Sequence, residues 1–422
     1  MVQPGERRMV GIYKKIIGIV AEYNPFHNGH LFHLGKSREN KDDAVVVVLS
    51  SYFTQRGEPA VMSKWDRAES ALGAGANLVL ELPAFFSCHN AGIFAAGAVD
   101  ILAATGMVET LSFGMEQPEF EPAPILDILV HEPSHFKDNL KKKLNSGFSY
   151  VKARAAALEE IHSGWGTFVS RPNNTLALSY MERILRKGYS IACRPVQRMG
   201  AAFHDPDLAS VFPSASAVRK ALEEGNRKEA EKALPSSTVS ILNRCIRRGN
   251  VVLSREMLWR LIRFLLLRTP AEELALSSEM TEGMENRLLK YAALCSSWSE
   301  FVSKCTTARY PRGRIQRQLV HFLLGIGHQE NRELQRSGPQ YIRVLGADSV
   351  GMEILRKMRS AARLPVMGKA PAGLRGEGLL LSGIEESAAN VWEELTAVFS
   401  PGEEKKRHPL MEECFSEGEN VP

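Results

Sequence analysis

Two histidines set one residue pair apart, His27-Asn28-Gly29-His30, follow closely on an apolar run made of Ile16, Ile17, Ile19 and Val20. The run reads as a buried strand. It stops at Ala21 and Glu22-Tyr23-Asn24-Pro25, where Pro25 removes a backbone donor and disfavours helix for Asn24. After Phe26 and the histidines, Leu31, Phe32, His33, Leu34 and Lys36 read as the opening of a helix. Both imidazoles therefore stand where a first strand hands over to a first helix, the place where open parallel sheets bind ligands. A three-residue spacing puts the rings on one side of a helical turn, and Gly29 lets the backbone approach a ligand closely. The positive helix end and its N–H groups favour an anion, typically a phosphate. The chemistry expected there is positioning and electrostatic stabilisation of charge developing on a phosphate, with no covalent enzyme intermediate.

A second candidate phosphate site follows at residues 212–222 (FPSASAVRKAL), where Ser214 and Ser216 precede a helix carrying Arg219. Serine hydroxyls, a helix N-terminus and a guanidinium together suit a phosphate. An HxGH sequence at a strand–helix junction resembles the signature of the nucleotidylyltransferases and their class I synthetase relatives. That resemblance implies that His27 and His30 act on the α-phosphate of ATP. Ser216-Ala217-Val218-Arg219 is similar to the T-x-x-R spacing that closes such domains, with Ala215 departing from the usual second serine.

The elements that must hold these groups alternate between strand and helix. Residues 44–50 (AVVVVLS), 77–82 (NLVLEL), 109–113 (ETLSF) and 189–195 read as further strands, with helices beginning near Ser63, over 90–105 and over 176–186. The expected fold class is α/β, a Rossmann-like doubly wound parallel sheet of the HxGH type. It carries a helical insertion at about 118–171 and is followed by an α-helical C-terminal domain. The boundaries expected are an N-terminal extension over 1–15, the nucleotide domain over 16–224, a mainly α-helical domain over 225–400 with a late strand at 341–345, and a disordered polar tail over 401–422. Met62-Ser63-Lys64 is similar to the mobile lysine loop of class I synthetases but stands far too early in the chain, and chance explains it better.

The 422 residues, 44% hydrophobic and 24% charged, are ordinary for a globular chain with ample core for two domains. No apolar stretch is long enough to span a bilayer, and residues 1–15 lack the apolar core of a signal peptide. Six cysteines without a C-x-x-C pair argue against a zinc or disulfide framework and suit a reducing cytoplasm. Net charge is +5, yet residues 241–345 alone hold 17 Lys/Arg against 9 Asp/Glu. The positive charge is thus concentrated in the helical half, where Arg244, Arg247, Arg248, Arg309, Arg312, Arg314 and Arg317 accompany Tyr310. A basic patch with an aromatic suits RNA phosphates and a stacked base; a solvated, acid-paired helix face is the alternative.

Several stretches together resemble a particular family, the bacterial tRNA(Met) cytidine acetate ligases. They are IVAEYNPFHNGHLFH (19–33), QRGEPAVMSKWDRA (55–68), LVLELP (78–83), SFG (112–114), RPNN (171–174), Arg198 with Phe203-His204-Asp205, SASAVRK (214–220) and YPRGRIQRQLVHFLL (310–324). The resemblance implies that acetate attacks the α-phosphate of ATP to give acetyl-adenylate and pyrophosphate. The acetyl group then passes to N4 of the wobble cytidine, position 34, of elongator tRNA(Met), giving N4-acetylcytidine. It also implies an ATP site formed by residues 20–33, Gly114, Asn173 or Asn174, and Arg198. Met115 stands where a small residue is usual and would crowd the pocket floor. Magnesium is expected with ATP, held mainly by phosphate oxygens and water. Arg309, Arg312, Arg314 and Arg317 are the expected tRNA contacts. The residues alone leave open a small-molecule adenylyltransferase of the same fold, or an ATP- and RNA-binding protein without turnover.

Overall fold

A computed structural model describes residues 13–198, 213–370, 373–398 and 402–411. Residues 203–205, named above, lie outside them, as does most of the expected N-terminal extension. The β-branched runs form the strands anticipated. β1 (Ile16–Ala21), β2 (Ala44–Ser50), β3 (Leu78–Leu82), β4 (Thr110–Met115) and β5 (Ala192–Gln197) lie in the order β5-β4-β1-β2-β3, all parallel. β1 to β3 are almost wholly buried, which fits their near-continuous apolar sequences. From β3 the chain crosses back over β1 to reach β4. This reversal opens a crevice at the carboxyl ends of β1 and β4.

The sheet does not end with the nucleotide-binding half. β6 (Ile342–Ala347) pairs antiparallel with β3 and extends the sheet, and it carries β7 (Val366–Met367) and β8 (Leu410–Met411) in parallel. The late strand legible at 341–345 is therefore a continuation of the same sheet, and the chain returns to it again near its end. The stretch read as a disordered tail includes a short helix, Glu403–Lys406, and β8. Its Glu404 is 5% exposed, held among charges rather than solvated.

Those charges form a buried cluster. The Lys64 ammonium, fully buried, contacts Glu81 of β3, Glu385 at 2.7 Å and Glu404 at 2.8 Å. Arg343 of β6 also pairs with Glu404. Burial alone would lower the Lys64 pKa, but the three carboxylates outweigh it and raise it. Lys64 is thus a fixed part of the interior, which agrees with chance as the origin of its motif-like setting. The three carboxylates lie close enough to hold a metal ion, but the Lys64 ammonium and the Arg343 guanidinium already stand among them.

A glycine ties the helical half to the sheet. Residues 54–59 form a turn after β2, with Gly57 at φ +72°. A Cβ on Gly57 would stand 2.4 Å from the Arg317 nitrogen and 2.5 Å from the Gln316 carbonyl carbon, both backbone atoms of the helix Arg312–Leu323. Positive φ and backbone contact both oppose a side chain there. Gly57→Ala is expected to destabilise the protein by about 3 kcal/mol, read as a lowered denaturation midpoint. An unchanged midpoint would mean that this loop is not clasped by the helix.

Candidate active site

The helix Asn28–Ser37 begins as its sequence suggests, and its cap is made by the two histidines themselves. His27 is the N-cap, its Nδ1 accepting from the Gly29 N–H at 3.0 Å, while His30 Nδ1 accepts from the His27 N–H at 3.2 Å. This is a capping box built from imidazoles. The rings stack with centroids 3.7 Å apart and planes 26° from parallel. Tyr23 and Phe26, both buried, also pack against His30, with ring centroids 4.9 and 5.7 Å away. A ring nitrogen that accepts from an N–H carries no proton, so each neutral imidazole holds its proton on Nε2. Among the described residues neither Nε2 has a hydrogen-bond partner, and the site presents two adjacent Nε2–H donors.

Their surroundings keep them neutral. Burial, reinforced by Arg198 and Arg219, pushes His27 down to about 3. Burial and then the neighbouring His27, His33 and Arg198 hold His30 well below its ordinary value. Burial brings His33 to about 4, its Nε2 lying 3.2 Å from Ser112 Oγ on β4. The unfolded chain therefore binds protons between about pH 6.5 and pH 3–4 that the folded chain does not. Stability is full above pH 6.5 and falls on acidification, by about 1.4 kcal/mol per histidine for each pH unit. In urea titrations the wild type is expected to weaken between pH 7.5 and 5.5, and His33→Gln to lose about 1.4 kcal/mol less over the same interval. Equal losses in the two proteins would contradict the neutral assignment.

The N–H groups expected to face a phosphate are partly committed. Asn28 N–H donates to the Ala233 carbonyl at 2.9 Å, and the Asn28 side chain donates to the Lys232 carbonyl. The imidazole Nε2–H groups are thus the more available donors. Arg219, on the helix Ala215–Glu223, donates to the Asn24 carbonyl at 2.9 Å and lies 3.3 Å from Ser216 Oγ. Arg56 donates to the same hydroxyl at 2.8 Å. The candidate phosphate segment therefore joins the histidine turn, and Ser214 caps its helix as expected.

Around this turn the backbone is held from inside. Asn24 precedes a cis peptide to Pro25, and its Oδ1 accepts from Val61 N–H. Tyr23 has φ +44°, a left-handed conformation unusual for a ring-bearing residue. Glu22 accepts from Gln55 N–H. Buried Arg67 donates to the carbonyls of Glu22, Ser51 and Met62, joining the first two motifs. Val20, Ala21, Leu31 and Phe32 complete the strand–turn–helix.

Across the crevice, a Cβ on Gly114 would meet nothing within 4 Å, so this wall is open. Met115, one residue on, points to the opposite face and is buried in the main core. The feared crowding does not arise. Glu116 receives both amides of the next motif: Asn173 through its backbone and side chain, Asn174 through its backbone. Asn174 uses its side chain inside the protein, accepting from Glu116 N–H and donating to the Phe168 carbonyl. Of the two asparagines, Asn173 is the more open. Arg198 follows β5, its N–H donating to the Met115 carbonyl, with its charge close enough to His27 and His30 to lower them.

The expected RNA-binding arginines separate. Arg309 pairs with Glu282, Arg312 is exposed, and Arg314 lies over the Tyr310 ring at 4.3 Å. Tyr310 is 4% exposed and its hydroxyl is engaged by Thr281 and Glu282, so it is not available to stack on a base. The aromatic belongs to the core. Arg317 turns inward and donates to the Gln55 carbonyl at 3.1 Å, while Gln316 donates to Glu58 at 3.2 Å. Arg244 is tied to Glu69 and Asp66. The residues that sequence reasoning left unassigned are Arg56, Glu58, Arg255 and Gln316; the polar run Gln55-Arg56-Gly57-Glu58 at a strand end was the signal for the first two.

A strand–turn–helix with stacked, neutral histidines thus stands at the sheet's switch point, and the chain belongs to the HIGH Nucleotidyl Transferase family, which matches residues 14–405. Within it, the tRNA(Met) cytidine acetate ligase of Syntrophomonas wolfei is 38% identical over 84% of this chain and 86% of its own length. That of Thermoanaerobacter sp. is 36% identical over 84% and 88%. The crystal structure of apo Thermotoga maritima TmcAL superposes with a TM-score of 0.90 at 31% identity, covering 94% of this chain and 99% of that one. A second form, bound with alpha-thio ATP, superposes at 0.86 with 30% identity and the same coverage.

Proposed function

We propose that this chain is an ATP-dependent tRNA(Met) cytidine acetate ligase. The observation that carries the reading is the pair of stacked, neutral histidines whose Nε2–H groups have no partner among the described residues, in a chain up to 38% identical to ligases of that name. Residues 20–33 form one wall of the ATP site, with Gly114, Asn173 and Arg198 opposite. A carboxylate oxygen of acetate forms a bond to the α-phosphorus while the bond to the β-phosphate bridge breaks, releasing pyrophosphate. His27 and His30 donate to the non-bridging oxygens, whose charge grows as the phosphorus becomes five-coordinate. Arg219 and Arg198 offset triphosphate charge, and the Ser216 hydroxyl offers a neutral hydrogen-bond donor. No general base is required, since acetate is already an anion.

Magnesium fits this site only through the nucleotide. Glu22 is engaged by Gln55, Glu58 by arginines and Gln316, and Glu116 by Asn173 and Asn174. An ion accompanying ATP would be held by phosphate oxygens and water. In the second half-reaction the acetyl group passes to the exocyclic amine of the wobble cytidine. Arg309, Arg312 and Arg314 belong to the stretch 241–345 that carries the surplus charge, while Arg317 joins the helix Arg312–Leu323 to the motif loop through the Gln55 carbonyl. No helix of the described residues is long and apolar enough to cross a membrane.

The test is incubation with ATP, Mg²⁺, labelled acetate and bulk tRNA, followed by nucleoside analysis. Label in N4-acetylcytidine is expected. Pyrophosphate release driven by acetate without labelled tRNA would leave adenylation alone, and no release at all would overturn the reading.

A further inference from the structure

Next to the histidine turn lies a small, open-mouthed pocket lined among others by Glu58, Pro59, Arg219, Glu223, Leu253 and Arg255. Arg219 spans the two places: one nitrogen sits on the Asn24 carbonyl of the turn, another 3.7 Å from Glu58. Glu58 is 8% exposed. Burial alone would raise its pKa, but Arg255, Arg219 and Arg56 outweigh this and keep it an anion. Its Oε1 accepts from Gln316 at 3.2 Å and its Oε2 stands 3.3 Å from Arg255. An ionised carboxylate has about four acceptor positions and no donor, so capacity for a further N–H remains. Arg255, with about a third of its side chain exposed, adds donors at the same mouth.

The edge of a cytosine presents an N4 amine donor beside ring acceptors, and a carboxylate is the side chain that accepts from N4. Uracil would put an acceptor oxygen against the same carboxylate. We propose that Glu58 and Arg255 receive the acceptor cytosine, Glu58 binding the N4 amine and Arg255 facing the ring acceptors. The inference rests on the ligase reading and adds the group that selects and deprotonates the nucleophile. The N4 nitrogen forms a bond to the acyl carbon, and the acyl carbon–oxygen bond to the adenylate breaks with its electron pair leaving on AMP. The N4 proton passes to Glu58. Arg219 links the two half-reactions, touching the nucleotide turn with one end and the acceptor carboxylate with the other.

The test uses the full chain with ATP, Mg²⁺, labelled acetate and tRNA transcripts bearing C or U at the wobble position. For wild type, Glu58→Gln and Glu58→Asp, acetyl transferred to RNA is divided by acetyl-adenylate formed without RNA, with folding checked by circular dichroism. The ratio is expected to fall ~100-fold in Glu58→Gln and to recover in part in Glu58→Asp. A parallel loss of both half-reactions, which a mere brace for Arg219 would cause, overturns the inference, as does unchanged transfer. A wild type that adenylates acetate yet modifies no cytidine overturns the ligase reading, and this inference with it.

Discussion

His30→Ala is expected to lower acetate-dependent pyrophosphate release by 100- to 1000-fold, about the cost of removing one preorganised donor from a developing oxyanion. The substitution deletes the Nε2–H and also the Nδ1 acceptor that satisfies the His27 N–H. It leaves His27 without its stacking partner at 3.7 Å. Losing half of a capping box adds a stability cost of about 1 kcal/mol, too small to unfold the domain. Binding of tRNA should therefore persist, since its expected contacts lie on other elements. His30→Gln, which keeps an N–H donor, should retain more activity than alanine. A decrease of less than tenfold in His30→Ala would remove this ring from the chemistry.

Lys64→Met is expected to cost about 4 kcal/mol of stability, because breaking a buried ion pair strands the partner charges. The substitution leaves Glu81, Glu385 and Glu404 with Arg343 as their remaining cation. Burial and the proximity of Glu385 already raise the Glu81 pKa to about 7, so this carboxyl is the one that takes up a proton first. The variant should recover stability as pH falls, opposite in sign to the histidine effect. Adding Glu404→Gln should restore part of the loss, since it removes one of the stranded charges and the two sites are coupled. A Lys64 that instead belonged to a mobile catalytic loop would lose activity on substitution with its stability intact. The buried contacts from four separate segments make stability the expected readout, measured by urea denaturation.

The histidine turn and the strands that carry it were legible because each rests on local chemistry. A β-branched run such as residues 44–50 has one good solution, a buried strand, and Pro25 marks where β1 must stop. The order of strands could be inferred only as a class, since nothing in residues 342–347 says which edge they join. The partner of β6 is set by the fit of its apolar face on β3 and by Arg343 reaching the carboxylates. Glu404 was misread for a related reason. In a run of Glu and Lys it looks solvated, and its burial depends on Lys64, which lies 340 residues earlier. Tyr310 looked like a base-stacking ring because aromatic and arginines adjoin in sequence. Its hydroxyl partners, Thr281 and Glu282, lie on a distant turn and pull it inward. Glu58 and Arg255 meet only in the folded chain, so the cavity between them left no mark on either stretch alone.

Chemistry at the α-phosphate has a direct signature in the products. With ATP labelled at the α-phosphate, labelled acetate, Mg²⁺ and tRNA, one labelled AMP is expected for each acetyl group found in cytidine. His30→Ala should lower both products together. Release of ADP in place of AMP, or acetylcytidine formed without AMP, would contradict the action of His27 and His30 on the α-phosphate.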